Sequence, residues 1–323
     1  MTNSDLVTKF AGLFSDRDDF QDILTNRPLF AHYTSIDVLE KIMKNEEVWL
    51  SNPLFMNDLE EMRFGMHQGV LSFDQLRQTV TAAAGSPNRF RIVESAFMGL
   101  WREFDASHAL DTFVFCLSRH DPADNDGVLS MWRAYGGNGN GAALIFNTAH
   151  TSSLKDDSPL VFARVHYGSS DVRRLWLLER IKEWCQIVQA LHPTDDQLNI
   201  AARILFSVIK IYALTSKHHG FREENEWRII YLPERDRIGL RDKSLHYTIG
   251  KHGVEPKLKI KIAPLPLSDP EEFTFGNILE RVVLGPSLAS PLARACVIRM
   301  LQIIGKSDFG QKVFSSTIPL RPT

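Results

Sequence analysis

Apolar positions recur at helical spacing in residues 4–26, where Leu6, Phe10, Leu13 and Phe14 precede Phe20, Ile23 and Leu24, so one broken or two short amphipathic helices are expected. The segment PLFAHYT (28–34) is aromatic and β-prone. Thr34 or Ser35 then caps a helix carrying Ile36, Leu39 and Met43, and EVWLS (47–51) follows as a second strand. Between Asn57 and about Ser107 the pattern is helical, with a break at GSPN (85–88). DTFVFCLS (111–118) has the continuous apolar character of a buried central strand.

Further along, VLSMWRAYG (128–136) predicts a short helix ended by glycine, and GAALIFN (141–147) another strand. LVFARVHYG (160–168) is a strand, after which Leu175, Leu178, Ile181, Cys185, Val188 and Leu191 fall at steps of three and four over 171–191. Thr194 to Gln197 matches a capping box and starts a second helix with Leu198, Ala201, Leu205, Val208 and Tyr212. These two helices form a hairpin, about 171–216, inserted between strands. FREENEWRIIYL (221–232), a run near 257–262, LERVVLGP (279–286) and KVFSSTIP (312–319) are read as strands, with a helix at about 290–305. No linker, repeat or low-complexity tract appears, so an N-terminal helical extension (1–27) and one α+β domain (28–323) are expected.

Composition narrows the function classes. The chain has 323 residues, 44% of them hydrophobic, and a formal net charge of −2, so no general attraction to nucleic acid or anionic membrane is built in. Cys116, Cys185 and Cys296 lie far apart without metal or redox spacing and are read as reduced core thiols. The N-terminal residues lack the pattern of a secretion signal, and no run of about 18 apolar residues stands out, so a cytoplasmic protein with no membrane partner is expected.

Chemistry concentrates in a few places. Glu224 and Glu226 are two apart at the start of a predicted strand, which sends both carboxylates to one face with Arg228 next along it. Ion pairing with Arg222 and Arg228 on a solvated face explains them equally. Asn57 and Asp58 in MNDLEE suit a helix cap with Glu61 as its acidic partner. Alternatively Asp58, Glu61, Glu224 and Glu226 form an oxygen-rich cluster for magnesium or manganese, as a nuclease requires. Trp132 and Tyr135 are three apart on one helical face, either stacking on a base or covering the sheet. Gly136, Gly137, Gly139 and Gly141 precede a strand, the reverse of the dinucleotide-binding order, and indicate a turn with close backbone approach. His218 and His219 are read as solvated loop residues, and no catalytic triad or cysteine nucleophile stands out.

In order, HYTS (32–35), VWLSNPLFMNDLEE (48–61), FVFCLS (113–118), LSMWRAYGGNGNGAALIF (129–146), ENEWRII (224–230) and RVVLGP (281–286) resemble the hallmark blocks of the domain-of-unknown-function 2971 family. The opening His-Tyr-Thr strand and the late Glu-x-Glu are further similar to the ADP-ribosyltransferase fold, in its DNA-modifying or diphtheria-toxin-like branch. The helical insertion and the lack of a central tyrosine motif are departures from it. The resemblance implies a split, mostly antiparallel sheet. It also implies NAD as substrate, with no metal, and an ADP-ribosyltransferase or NAD-cleaving effector of bacterial stress or phage defence. In that reading His32, Tyr33, Thr34, Asn57, Ser118, Trp132 and Tyr135 bind NAD. Glu226 is the principal catalytic carboxylate, and Glu224 orients or deprotonates a protein or nucleic-acid acceptor. A metal-dependent nuclease and a non-catalytic nucleotide- or partner-binding module are the alternatives.

Overall fold

The computed structural model describes residues 3–14, 16–56, 59–151, 158–250, 253–263 and 273–320. Its strands are β1 (Leu29–Thr34), β2 (Glu47–Ser51), β3 (Phe113–His120), β4 (Ala142–Asn147), β5 (Leu160–Arg164) and β6 (His166–Gly168). They continue with β7 (Ser216–His218), β8 (Glu226–Tyr231), β9 (Leu245–Gly250), β10 (Gly253–Lys261), β11 (Leu279–Leu284) and β12 (Val313–Ser315). The chain is mixed α+β with a mostly antiparallel sheet.

Contacts divide the chain into two compact units, one of residues 1–17, 52–113 and 163–222, the other of 18–51, 114–162 and 223–323. This differs from the boundary at residue 27. The helices between 59 and 103 bury their apolar faces on the 170–215 hairpin, so both helical stretches belong to one body.

In the helical unit the hairpin pairs Ser170–Leu191 with Asp195–Thr215, and the capping box at Thr194 and Gln197 is formed. Trp184 Nε1 donates to the Ala201 carbonyl across the hairpin at 2.8 Å. The helix Leu59–Gln75 crosses the second hairpin helix at Gly65 and Gly69, where a Cβ would lie 2.8 Å from Ala213 and 2.4 Å from Ile209. Hydrogen in place of a side chain is what lets the two backbones meet there. Phe73 stacks on Phe97 at 4.4 Å, and Phe97 meets Phe206 edge-on at 5.8 Å. The helix Asp195–Thr215 is long and apolar enough to cross a membrane by length and composition, but 72% of its apolar window is buried inside the protein, as in a core helix.

The second unit is built on a ten-stranded sheet ordered β12-β11-β4-β1-β3-β2-β10-β9. The sheet branches at β3, which also pairs with β8, and β8 in turn pairs with β5. Cross-strand register fixes two faces, because directly opposed residues point the same way. Ala31 opposes Ser118, so the face bearing Ala31 and Tyr33 also bears Ser118. Its core is Ala31, Tyr33, Met131, Trp132, Ala143, Ile145 and Val283. The other face carries Phe30 and His32, with Phe115, Leu117 and Phe146.

Several expected strands are shorter than the apolar runs that announce them. The run 160–168 is divided into β5 and β6, and 221–232 becomes strand only at Glu226. Cys185 is buried and Cys116 half-buried, as core thiols are, but Cys296 is exposed on the helix Pro291–Ile303. β7 and β9 are strands that the apolar pattern did not announce.

Candidate functional site

The polar corner of the second unit forms where β8 begins. Residues up to Glu224 close a tight helical turn, and Asn225 then adopts a left-handed conformation (φ 42°) before β8 starts at Glu226. Alternation over Glu224 and Glu226 therefore does not hold, since only Glu226 lies in the strand. A non-glycine residue at positive φ is strained by about 1 kcal/mol, and such strain persists only where surroundings enforce it. Here the Asn225 carbonyl accepts from the Arg119 amide at 3.0 Å, and the Glu224 carbonyl accepts from the Ser118 hydroxyl of β3.

Both glutamates are buried. Arg228 clasps Glu226 with two bonds, Nε to Oε1 at 2.8 Å and Nη2 to Oε2 at 3.1 Å. Glu224 Oε1 accepts from the Tyr135 hydroxyl at 2.9 Å. Tyr135 is the residue that ends the helix Leu129–Ala134, and it is 37% exposed. Ser118, Tyr135 and Glu224 thus converge, with the Glu226–Arg228 pair starting two residues further along the chain.

Trp132 does not join them as a stacking platform. It is 0% exposed, its Nε1 donates to the Asp126 carbonyl at 2.8 Å, and its ring meets Tyr33 edge-on at 4.8 Å. Trp132 is enclosed while Tyr135, at the helix end, reaches the surface, so the two rings do not form one stacking platform. Tyr33 is likewise core: its hydroxyl accepts from the Val128 amide at 2.9 Å, and burial pushes its pKa up to about 12. Thr34 is buried, and a Cβ at Gly141 would sit 2.2 Å from its carbonyl, so the glycine cluster is a close-approach turn.

His32 lies on the opposite face. Trp227 shares the face of Phe30, their rings 5.3 Å apart, so alternation along β8 turns Glu226 and Arg228 away from it. Alternation along β1 sets His32 with Phe30, 4.3 Å from the Phe115 ring. Its Nδ1–H donates to the Cys116 carbonyl at 3.0 Å. Burial among these apolar groups lowers its pKa to about 4, against the opposing pull of that bond, and so leaves the imidazole neutral near pH 7. A clamp combining His32 with Glu226 is not formed, because one strand residue separates the two faces.

That second face holds a cavity of about 200 Å³ lined mainly by apolar groups of β1, β2, β3, β4, β5, β8 and β10, among them Phe30, Leu50, Phe115, Phe162 and Ile260. No local pattern announces it, since its walls come from seven strands spread over more than 200 residues.

Asn57 and Asp58 lie outside the described residues, as does the side chain of Glu61. Among the described residues no three His, Cys, Asp or Glu side chains converge to hold a metal. The fold and the polar corner together define a mixed α+β protein with a buried acidic site, and the family comparison falls on that site. Residues 131–229, which include Tyr135, Glu224, Glu226 and Arg228, match the model of a family described as "Protein of unknown function (DUF2971)". No curated protein and no solved structure matches the chain.

Proposed function

We propose that the corner formed by Tyr135, Glu224, Glu226 and Arg228 binds NAD and breaks its nicotinamide–ribose bond, passing ADP-ribose to an acceptor. The supporting observation is the bond from half-exposed Tyr135 to Glu224 beside a second buried carboxylate. Burying two carboxylates in succession is costly, and folding alone does not require it. As the bond breaks, nicotinamide leaves with the electron pair and positive charge builds on the ribose. Glu226, held in place by Arg228, stabilises that charge. Glu224 accepts the proton of the attacking hydroxyl, and Tyr135 presents an aromatic surface to nicotinamide at the rim. His32, Tyr33, Thr34 and Trp132 keep structural roles in this reading.

Calorimetric titration with NAD tests it. The wild type is expected to bind, and Tyr135→Ala, which removes the rim ring, to bind about tenfold or more weakly. No binding by the folded wild type contradicts the reading.

The apolar cavity supports a second reading, a binding module for a small neutral hydrophobic molecule. A cavity of about 150 Å³ suffices for benzene. Here the walls are mostly apolar, with Lys261 lining the cavity between Ile260 and Ile262 and reaching solvent. Stabilisation by an alkylbenzene in a thermal-shift titration, abolished in Leu50→Phe, is the expected signature; no shift in the wild type excludes it.

A further inference from the structure

The two edges of the ten-stranded sheet are protected very differently. β12, at one end, is three residues long. β9, at the other, runs for six residues and has β10 as its one hydrogen-bonded neighbour among the described residues. Edge strands of soluble proteins are normally blunted by shortness, charge, proline or bulges, because their free N–H and C=O groups template further pairing. β12 has the first of these devices. β9, with the sequence Leu-His-Tyr-Thr-Ile-Gly, contains no Asp, Glu, Lys, Arg or Pro.

Its side chains are equally open. Tyr247 is 64% and Ile249 91% exposed, and Val254, which opposes Ile249 on β10, is 62% exposed. Leu245, Tyr247 and Ile249 share a face with Leu258 of β10, which opposes Leu245 on one side and Leu50 of β2 on the other. The row of apolar residues that fills the core therefore runs on beyond the core, along an unpaired edge.

The order of residues indicates what covers it. Read outward from Tyr247, β9 is symmetric in character: His246 and Thr248 on either side, then Leu245 and Ile249. We propose that β9 pairs antiparallel with β9 of a second copy of this chain about a two-fold axis at Tyr247. Tyr247 then meets Tyr247 of the partner subunit, Leu245 meets Ile249 of the partner subunit, and His246 meets Thr248 of the partner subunit. Apolar groups meet apolar groups on one face, polar groups meet on the other, and no like charges are brought together. Slipping the axis by half a residue pair sets Ile249 against His246 of the partner subunit, so the pattern selects one register.

Sedimentation equilibrium over a concentration series tests this with wild type, Ile249→Lys and the control Leu292→Lys, whose site is an exposed apolar residue elsewhere. Both replaced side chains project into solvent, and far-UV circular dichroism verifies that folding is unchanged. A reversible dimer is expected for wild type and for Leu292→Lys, with dissociation constants agreeing within error. Ile249→Lys is expected to dissociate about tenfold or more easily. A wild type that stays monomeric at every concentration overturns the proposal, as does a dimer that Ile249→Lys leaves intact.

Discussion

The two faces of the branched sheet solve burial in opposite ways. On the face of Phe30, Phe115 and Leu50 the side chains are apolar, make few directional demands and leave a cavity of about 200 Å³. Across the same strands, the start of β8 buries carboxylates and a guanidinium, and places each polar group against a partner fixed by geometry: Arg228 on Glu226, Tyr135 on Glu224, Ser118 on the Glu224 backbone. Loose apolar packing forfeits some van der Waals contact and gives little specificity, whereas a buried charge is retained only when something compensates its desolvation. The contrast is the reason the polar corner is proposed as the site, with the apolar face left to packing or to a hydrophobic ligand.

The largest expected effect breaks the polar face. Arg228→Met leaves Glu226 buried without its cation and is expected to cost about 3–5 kcal/mol in urea denaturation. The double replacement of Glu226 and Arg228 by Met is expected to cost clearly less than Arg228→Met alone, because it leaves no charge behind. A loss under about 1 kcal/mol for Arg228→Met would mean that solvent reaches the pair and that the two faces do not differ in kind.

A smaller effect sharpens the same comparison by adding volume to each face. Ile145→Phe, in the closely packed core beside Tyr33 and Trp132, is expected to cost about 1–3 kcal/mol. Ile260→Phe can extend into the cavity and is expected to change stability by no more than about 0.5 kcal/mol. Equal losses would mean that the cavity closes up in solution.

The smallest effect concerns His32. Its pKa of about 4 lies below the usual 6.5, so between these values the unfolded chain holds the proton that the native chain refuses. His32 therefore costs no stability above pH 6.5 and progressively more as the pH falls towards 4. The ring is half-buried, so about 1–2 kcal/mol is the expected size. Burial lowers the pKa of His120 too, which adds acid sensitivity of the same sign. Urea titrations at pH 7 and pH 4.5 are expected to show a smaller gap for His32→Phe than for wild type. An unchanged gap would place the acid sensitivity elsewhere.

What could be read from the chain was local. The hairpin helices follow from three-and-four spacing and from the capping box at Thr194, interactions that reach only a few residues. The strands around His32 and Phe113 were legible from their apolar, β-prone runs, whereas the mostly antiparallel sheet was expected only from the resemblance to a known fold. The partition into units was not legible, because the helices after Asn52 join the hairpin through contacts made more than 100 residues away. The candidate site failed at two kinds of detail. Asn225 turns left-handed between two glutamates that a regular strand would align, a backbone choice that tertiary bonds from β3 enforce. The Tyr135–Glu224 bond spans 89 residues of sequence, which no spacing rule reaches. Conversely, His32 looked like a partner of Glu226 because facing is decided by strand register, which sequence alone leaves open.

Nicotinamide release from NAD by wild type and Glu226→Gln, with both proteins verified as folded by circular dichroism, tests the assignment of the polar face most directly. Wild type is expected to release nicotinamide and Glu226→Gln to be slower by about 100-fold or more, the usual cost of removing a group that stabilises developing charge. Release that is absent from the folded wild type, or that is as fast in Glu226→Gln, would contradict the assignment.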